Sequence, residues 1–124
     1  MTLPDAELAV LAALWDGGPA AARPLARRVY DSDTASAVAT VQTLLGRLER
    51  KGFVDRDRSN RAHLFAAAVT REGFAGAELT GLADRLSAGS LTPLLSHLAD
   101  AGRITAADLD ALRAALAARE ARGA

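Results

Sequence analysis

Residues Thr40 to Arg56 read TVQTLLGRLERKGFVDR, and a change of period inside this stretch decides the fold. With 100 degrees per residue and Val41 set at zero, Val38, Leu44, Leu45 and Leu48 fall within about 60 degrees of Val41, an apolar stripe that demands burial. Ala39, Thr40, Thr43, Gly46, Arg47 and Arg50 lie opposite, between about 140 and 260 degrees. Solvated helix faces ordinarily carry long Glu and Lys side chains of high helix propensity. This face has small residues and two β-branched threonines, which cost helix stability and let a neighbouring surface approach closely. At Lys51-Gly52 the pattern breaks, and Phe53-Val54-Asp55-Arg56, a polar DRSN turn and Arg61-Ala62-His63-Leu64-Phe65 follow as a hairpin, with Asn60 suited to a left-handed turn position.

Upstream, Leu8, Leu11, Leu14 and Trp15 recur at helical spacing behind Pro4-Asp5, which predicts a first helix from about Pro4 to Asp16 with acids at its positive end. Gly17-Gly18-Pro19 ends it. A second helix is expected over Ala22 to Tyr30, burying Leu25, Ala26, Val29 and Tyr30 and exposing Arg23, Arg27 and Arg28. Thr34 and Ser36 are the best-placed caps for the third helix. Three helices and a hairpin, in that order, make a winged helix-turn-helix. In that architecture the third helix enters the major groove of DNA and the hairpin tip lies along the backbone. The reading set is then Ser36, Ala39, Thr40, Gln42, Thr43, Arg47 and Arg50, with Arg58 and Arg61 on the wing.

A chain of 124 residues has room for one core, or for one small domain with an appended arm. Half of it is hydrophobic but only 4% aromatic, and alanine is heavily used, which favours a mainly α fold with closely packed elements. Cysteine is absent, which removes disulfides and thiolate metal sites and fits a reducing compartment. The N-terminal stretch lacks a basic region ahead of its apolar residues and does not read as a signal peptide. No apolar run reaches the roughly 20 residues a membrane span needs, so a cytoplasmic protein without membrane attachment is expected. Fifteen basic residues balance fifteen acidic ones, which by itself argues against nucleic acid. Between Arg23 and Arg61, however, nine basic residues stand against five acidic ones, a local excess of four. His63, placed on the wing strand, and His97 are isolated, and no nucleophile motif or phosphate-cradling loop is present, so neither a metal, a cofactor nor an enzyme activity is expected.

The stretches AELAVLAALW, TVQTLLGRLERKGFV and NRAHLFAAAVTREGF together resemble the successive signatures of the penicillinase-repressor family, the BlaI/MecI type, over essentially the whole chain. The resemblance implies a dimeric repressor that binds dyad-symmetric operators through Thr40, Thr43 and Arg47, and that leaves DNA when a signal, in several members a sensor or protease, acts. The sequence departs from the family pattern in places. Asn60 replaces the wing-turn glycine, Pro4 the threonine cap of the first helix, and Phe65 the tyrosine of the second wing strand. The Asn-Phe bond cleaved in several members corresponds to His97-Leu98, and the cysteine pairs of the copper-responsive branch are missing.

Residues 71–124 carry three apolar series: Ala75, Leu79, Leu82 and Leu86; Leu91, Leu94, Leu95 and Leu98; Leu109, Leu112 and Leu116. Thr105-Ala106-Ala107-Asp108 resembles a capping box. About fifty residues in three short helices make a poor independent core, so their leucines call for a cover. The expected domains are therefore a DNA-binding winged helix over 1–70 and a helical dimerisation region over 71–124, since a C2 dimer matches a palindromic site. The alternatives are a winged helix that binds protein without an operator, an arm folded back as a compact monomer, and a regulator with a small-molecule pocket between arm and wing.

Overall fold

The computed structural model describes residues 3–123. It holds α1 (Asp5–Gly17), α2 (Ala22–Tyr30), α3 (Ala35–Arg50), β1 (Val54–Asp57), β2 (Leu64–Ala67), α4 (Arg71–Ser87), α5 (Thr92–Asp100) and α6 (Ala106–Ala121). The fold is mainly α with a two-stranded antiparallel hairpin, as expected. The chain divides into two compact units, with the boundary inside α4 after Glu78.

In the first unit α1, α2 and α3 pack around one apolar core. Leu11, Leu25, Leu45, Leu48, Val10, Val41 and Val54 are fully buried, each such side chain contributing about 1.5 to 3 kcal/mol relative to exposure. The stripe of α3 buries Val41, Leu44, Leu45 and Leu48, as its spacing predicts, while Val38, assigned to the same stripe, is half-buried. On α1 the buried face is turned from the expected one. Val10, Leu11 and Leu14 are buried with Glu7, whereas Leu8 and Trp15 are only partly so. Glu7 is a core residue: its Oε1 lies 2.6 Å from Lys51 Nζ at the C-terminal end of α3, which ties the end of that helix to α1. Tyr30, expected inside, is 42% exposed at the end of α2.

Local signals set the helix ends. Thr34 accepts a hydrogen bond from the Ala37 amide at 3.2 Å and starts α3. Gly18, at φ 79°, ends α1 by donating its amide to the Leu14 carbonyl at 2.9 Å, a left-handed exit that suits glycine. Gly52, at φ 85°, follows the end of α3, donates its amide to the Glu49 carbonyl at 3.1 Å and turns the chain into the wing.

The hairpin pairs Val54 with Ala67 and Asp57 with Leu64, so its tip spans 58–63. β2 therefore begins later than expected, and His63 lies in the tip rather than on the strand. Among the described residues the left-handed non-glycine positions are Asp31 and Ala88; Asn60 is not one of them, so the tip turns without the conformation assigned to it. Phe65 exchanges two 2.9 Å backbone hydrogen bonds with Ala20, fastening the wing to the segment between α1 and α2. The first turns of α4 belong to this unit, because Phe74 stacks against Trp15 and Phe53 at 5.8 and 5.5 Å between ring centroids. Trp15 Nε1 donates to the Val69 carbonyl at 2.9 Å.

The second unit holds the rest of α4 with α5 and α6. Thr105 and Asp108 form the full reciprocal capping box of α6, with bonds of 3.1 and 2.9 Å. Ala83 is buried there, while Leu86, Leu112 and Leu116 are 67%, 53% and 56% exposed.

Candidate nucleic-acid interface

Burying the α3 stripe forces its opposite face outward. Ser36, Ala39, Thr40, Gln42, Thr43, Arg47 and Arg50 are all exposed, and Gly46 between them is half-buried. Thr40 and Thr43 donate their hydroxyls to the carbonyls four residues earlier, Ser36 at 3.0 Å and Ala39 at 3.1 Å. Their protons are spent inside the helix, leaving each threonine with acceptor lone pairs and a methyl group facing outward. Such a pair can accept from a base amino group or lie against a thymine methyl.

Ion pairing sorts the local positive charge. Arg23 and Arg27 both reach Asp33 Oδ2, at 3.6 and 2.5 Å. Arg28 donates to the Gly18 carbonyl at 2.9 Å, and Lys51 is held by Glu7. Arg56 and Arg58 share Glu49, at 3.1 and 3.0 Å. Arg28, Arg47, Arg50 and Arg61 make no ion pair among the described residues. Since Arg28 is held by a carbonyl, the cations of the unit with neither an ion pair nor a side-chain hydrogen bond among the described residues are Arg47 and Arg50 on the outer face of α3 and Arg61 at the wing tip. The two wing arginines thus differ: Arg61 is unpaired, whereas Arg58 is bridged to α3, a contact that sequence alone did not reveal.

Two carboxylates take lowered pKa values. Hydrogen bonding and then charge from Arg27 hold Asp33 below its ordinary 3.8. The link between α2 and the entry to α3 therefore contributes stability above the ordinary value and loses it as pH falls through the lowered one. Hydrogen bonds from Ser59, its side chain first and then its amide, lower Asp57 at the wing tip.

Glu7 was expected only as an acid at the positive end of α1; its place three, four and seven residues before Val10, Leu11 and Leu14 is the signal that could have marked it as a core position. Its partner Lys51 is 44 positions away and carries no comparable signal. Among the described residues no group of three or more His, Asp or Glu side chains could hold a metal ion, and no helix is long and apolar enough to cross a membrane. The leucines at 79, 82, 86, 98, 109, 112 and 116 are exposed, while Leu94 and Leu95 are half-buried.

Three packed helices with a hairpin after the third, and a cation-bearing polar face on that third helix, define a winged helix-turn-helix protein. The chain belongs to the penicillinase repressor family, whose model matches residues 3–118. It is similar to the transcriptional regulator BlaI of Mycobacterium tuberculosis, in strains CDC 1551 / Oshkosh and ATCC 25618 / H37Rv, with 36% identity over 123 residues, 96% of this chain and 86% of the relative. Among solved structures, a crystal structure of the PcaV transcriptional regulator from Streptomyces coelicolor in complex with its natural ligand matches 97% of this chain and 75% of that one, at 26% identity and a TM-score of 0.46.

Proposed function

We propose that the chain is a dimeric, cytoplasmic transcriptional repressor that acts by binding a dyad-symmetric DNA operator, with α3 in the major groove and the wing on the backbone. One observation supports this reading above the rest: Arg47 and Arg50 remain without ion-pair partners beside Thr40 and Thr43, while most neighbouring cations are neutralised by carboxylates. A planar guanidinium standing free over small residues is suited to the O6 and N7 acceptors of guanine. Ser36, Ala39 and Gln42 complete the reading surface, and Arg58 and Arg61 meet phosphates. Arg58 would have to exchange Glu49 for a phosphate oxygen on binding.

Residues 1–70 carry the DNA-reading function and 71–124 the dimer contact, through Leu79, Leu82, Leu86, Leu94, Leu95, Leu98, Leu109, Leu112 and Leu116. Eight large apolar side chains at least about a third exposed on one small unit favour association over solvation. A dimer also duplicates the reading helix to match two half-sites. A sensor or protease that relieves repression would meet His97-Leu98 inside α5 where several family members carry Asn-Phe.

Fluorescence anisotropy on an operator selected from random duplexes tests the reading. Arg47→Ala is expected to cost about 1 to 3 kcal/mol and to relax base preference at one position per half-site. Affinity should also fall steeply as salt rises. Wild-type affinity in the variant would remove Arg47 from the reading face, and failure to select any duplex at low ionic strength would leave the protein-binding reading in its place.

A further inference from the structure

A cleft of about 610 Å³ opens between the first turn of α2, the flank of α3 and the wing. Its polar lining is Arg23, Gln42, Arg56, Arg61 and His63, and among the described residues no aspartate or glutamate lines it. Val38, Phe65, Ala22 and Ala62 give it apolar walls. A few convergent polar groups over an apolar floor, in this range of volume, is the makeup of a small-molecule site.

The charge in the cleft is only partly compensated. Arg61 makes no ion pair among the described residues, and Arg23 reaches Asp33 only at 3.6 Å. Arg56 lies over the Phe65 ring, 4.7 Å from its centroid, with one terminal nitrogen on Glu49. Its Nε is buried without a hydrogen-bond partner among the described residues, and a buried donor left unmet is uncommon in a folded protein. Among the described residues no side chain caps α2, so the amides of its first turn add to the positive potential at the same end of the cleft.

The geometry points to a small organic anion as the occupant: a carboxylate on an apolar body of aromatic-acid size. Its charged end meets Arg23, Arg56 and Arg61 and its body rests on Val38 and Phe65. A single phosphate would satisfy the cations but leave the apolar floor uncovered. The size of the cleft and its mixed lining therefore favour the larger anion over a backbone phosphate. Gln42 and Arg61 belong both to this cleft and to the proposed DNA surface, so an occupant withdraws them from DNA. That competition rests on the repressor reading; the binding does not.

The test uses the full-length protein, benzoate as probe, and benzamide and inorganic phosphate as controls, read by amide chemical shifts in ¹⁵N-labelled protein without DNA. Benzoate at millimolar concentration is expected to shift Ala22, Arg23, Ala62 and His63 saturably. Benzamide should leave them in place, and phosphate should shift them only weakly. Arg23→Gln combined with Arg61→Gln, both at exposed positions, should weaken benzoate about tenfold or more. Unmoved cleft amides, equal shifts with benzamide, or phosphate binding as tightly as benzoate would each overturn the assignment, the last by making the cleft a phosphate seat alone. In a second arm, benzoate should release a fluorescein-labelled duplex from the wild type. Retention of the duplex at saturating benzoate would refute the competition. Protein that binds no duplex at all would refute the repressor reading while the shift measurement still decides the cleft.

Discussion

Leucine is put to opposite uses in the two units of this chain. In the first, Leu11, Leu25, Leu45 and Leu48 are wholly enclosed, along with Val10 and Val41. In the second, Leu86, Leu109, Leu112 and Leu116 stand on helices equally well formed and are all more than 40% exposed. Helix-forming signals are good in both places: Thr34 caps α3, Thr105 and Asp108 box the start of α6, and Pro93 enters α5 in its first turn. The contrast separates two links that are often merged. Caps and propensity decide where helices begin and end, while burial depends on how many elements meet, and α5 and α6 bring too few of their own.

The largest expected effect lies in the enclosed core. Leu45→Ala removes a fully buried side chain from the centre of the α3 stripe and should cost about 2 to 5 kcal/mol. Denaturant unfolding followed by circular dichroism measures it, and the loss should not change with protein concentration. A cost below about 1 kcal/mol would mean that the stripe is less tightly enclosed than its burial implies, which would weaken the contrast between the units.

Next comes the second unit. If its leucines are covered by another copy, Leu112→Asp places a charge in that contact and should yield monomers that bind operator weakly. Sedimentation equilibrium over a range of concentrations decides the matter. An intact dimer in this variant would move the contact away from α6, and a wild-type chain that stays monomeric would leave the exposed leucines without the cover proposed for them.

How much of this was legible beforehand follows the range of the interaction. The bounds of α2, the cap at Thr34, the α3 stripe and the α6 capping box are written in neighbouring residues, and sequence reading found them. The outward face of α3 followed from periodicity alone. What stayed hidden depends on partners far along the chain: Glu7 with Lys51, Trp15 Nε1 with Val69 across 54 positions, Arg58 with Glu49, and the strand-like bridge from Ala20 to Phe65. The wing tip misled for a related reason. Asn60 suits a left-handed turn, but that reading assumed a shorter connection than the six residues the register leaves between Asp57 and Leu64, and the longer tip turns without that conformation. The cleft beside the wing escaped notice because its lining comes from α2, α3 and both sides of the hairpin, and no single segment holds enough of it to make a pattern.

The smallest effect sharpens the comparison best, because it removes the same group from both units. Thr34→Ala and Thr105→Ala each delete a hydroxyl that accepts from a backbone amide, at 3.2 and 3.1 Å, on an exposed helix start. Each should cost about 1 kcal/mol of helix stability. In the first unit that cost should appear as a plain loss of unfolding free energy, since α3 is held by its own core whatever the protein concentration. In the second, if another copy covers the leucines of α6, the order of that helix is coupled to association and the same cost is shared with it. Thr105→Ala should therefore weaken the dimer several-fold in sedimentation, as well as lowering the melting temperature in a concentration-dependent way. Thr34→Ala should leave the dimer constant where it was. Equal, concentration-independent losses from the two substitutions would mean that the second unit stands by itself, and the difference drawn between the two sets of leucines would have to be abandoned.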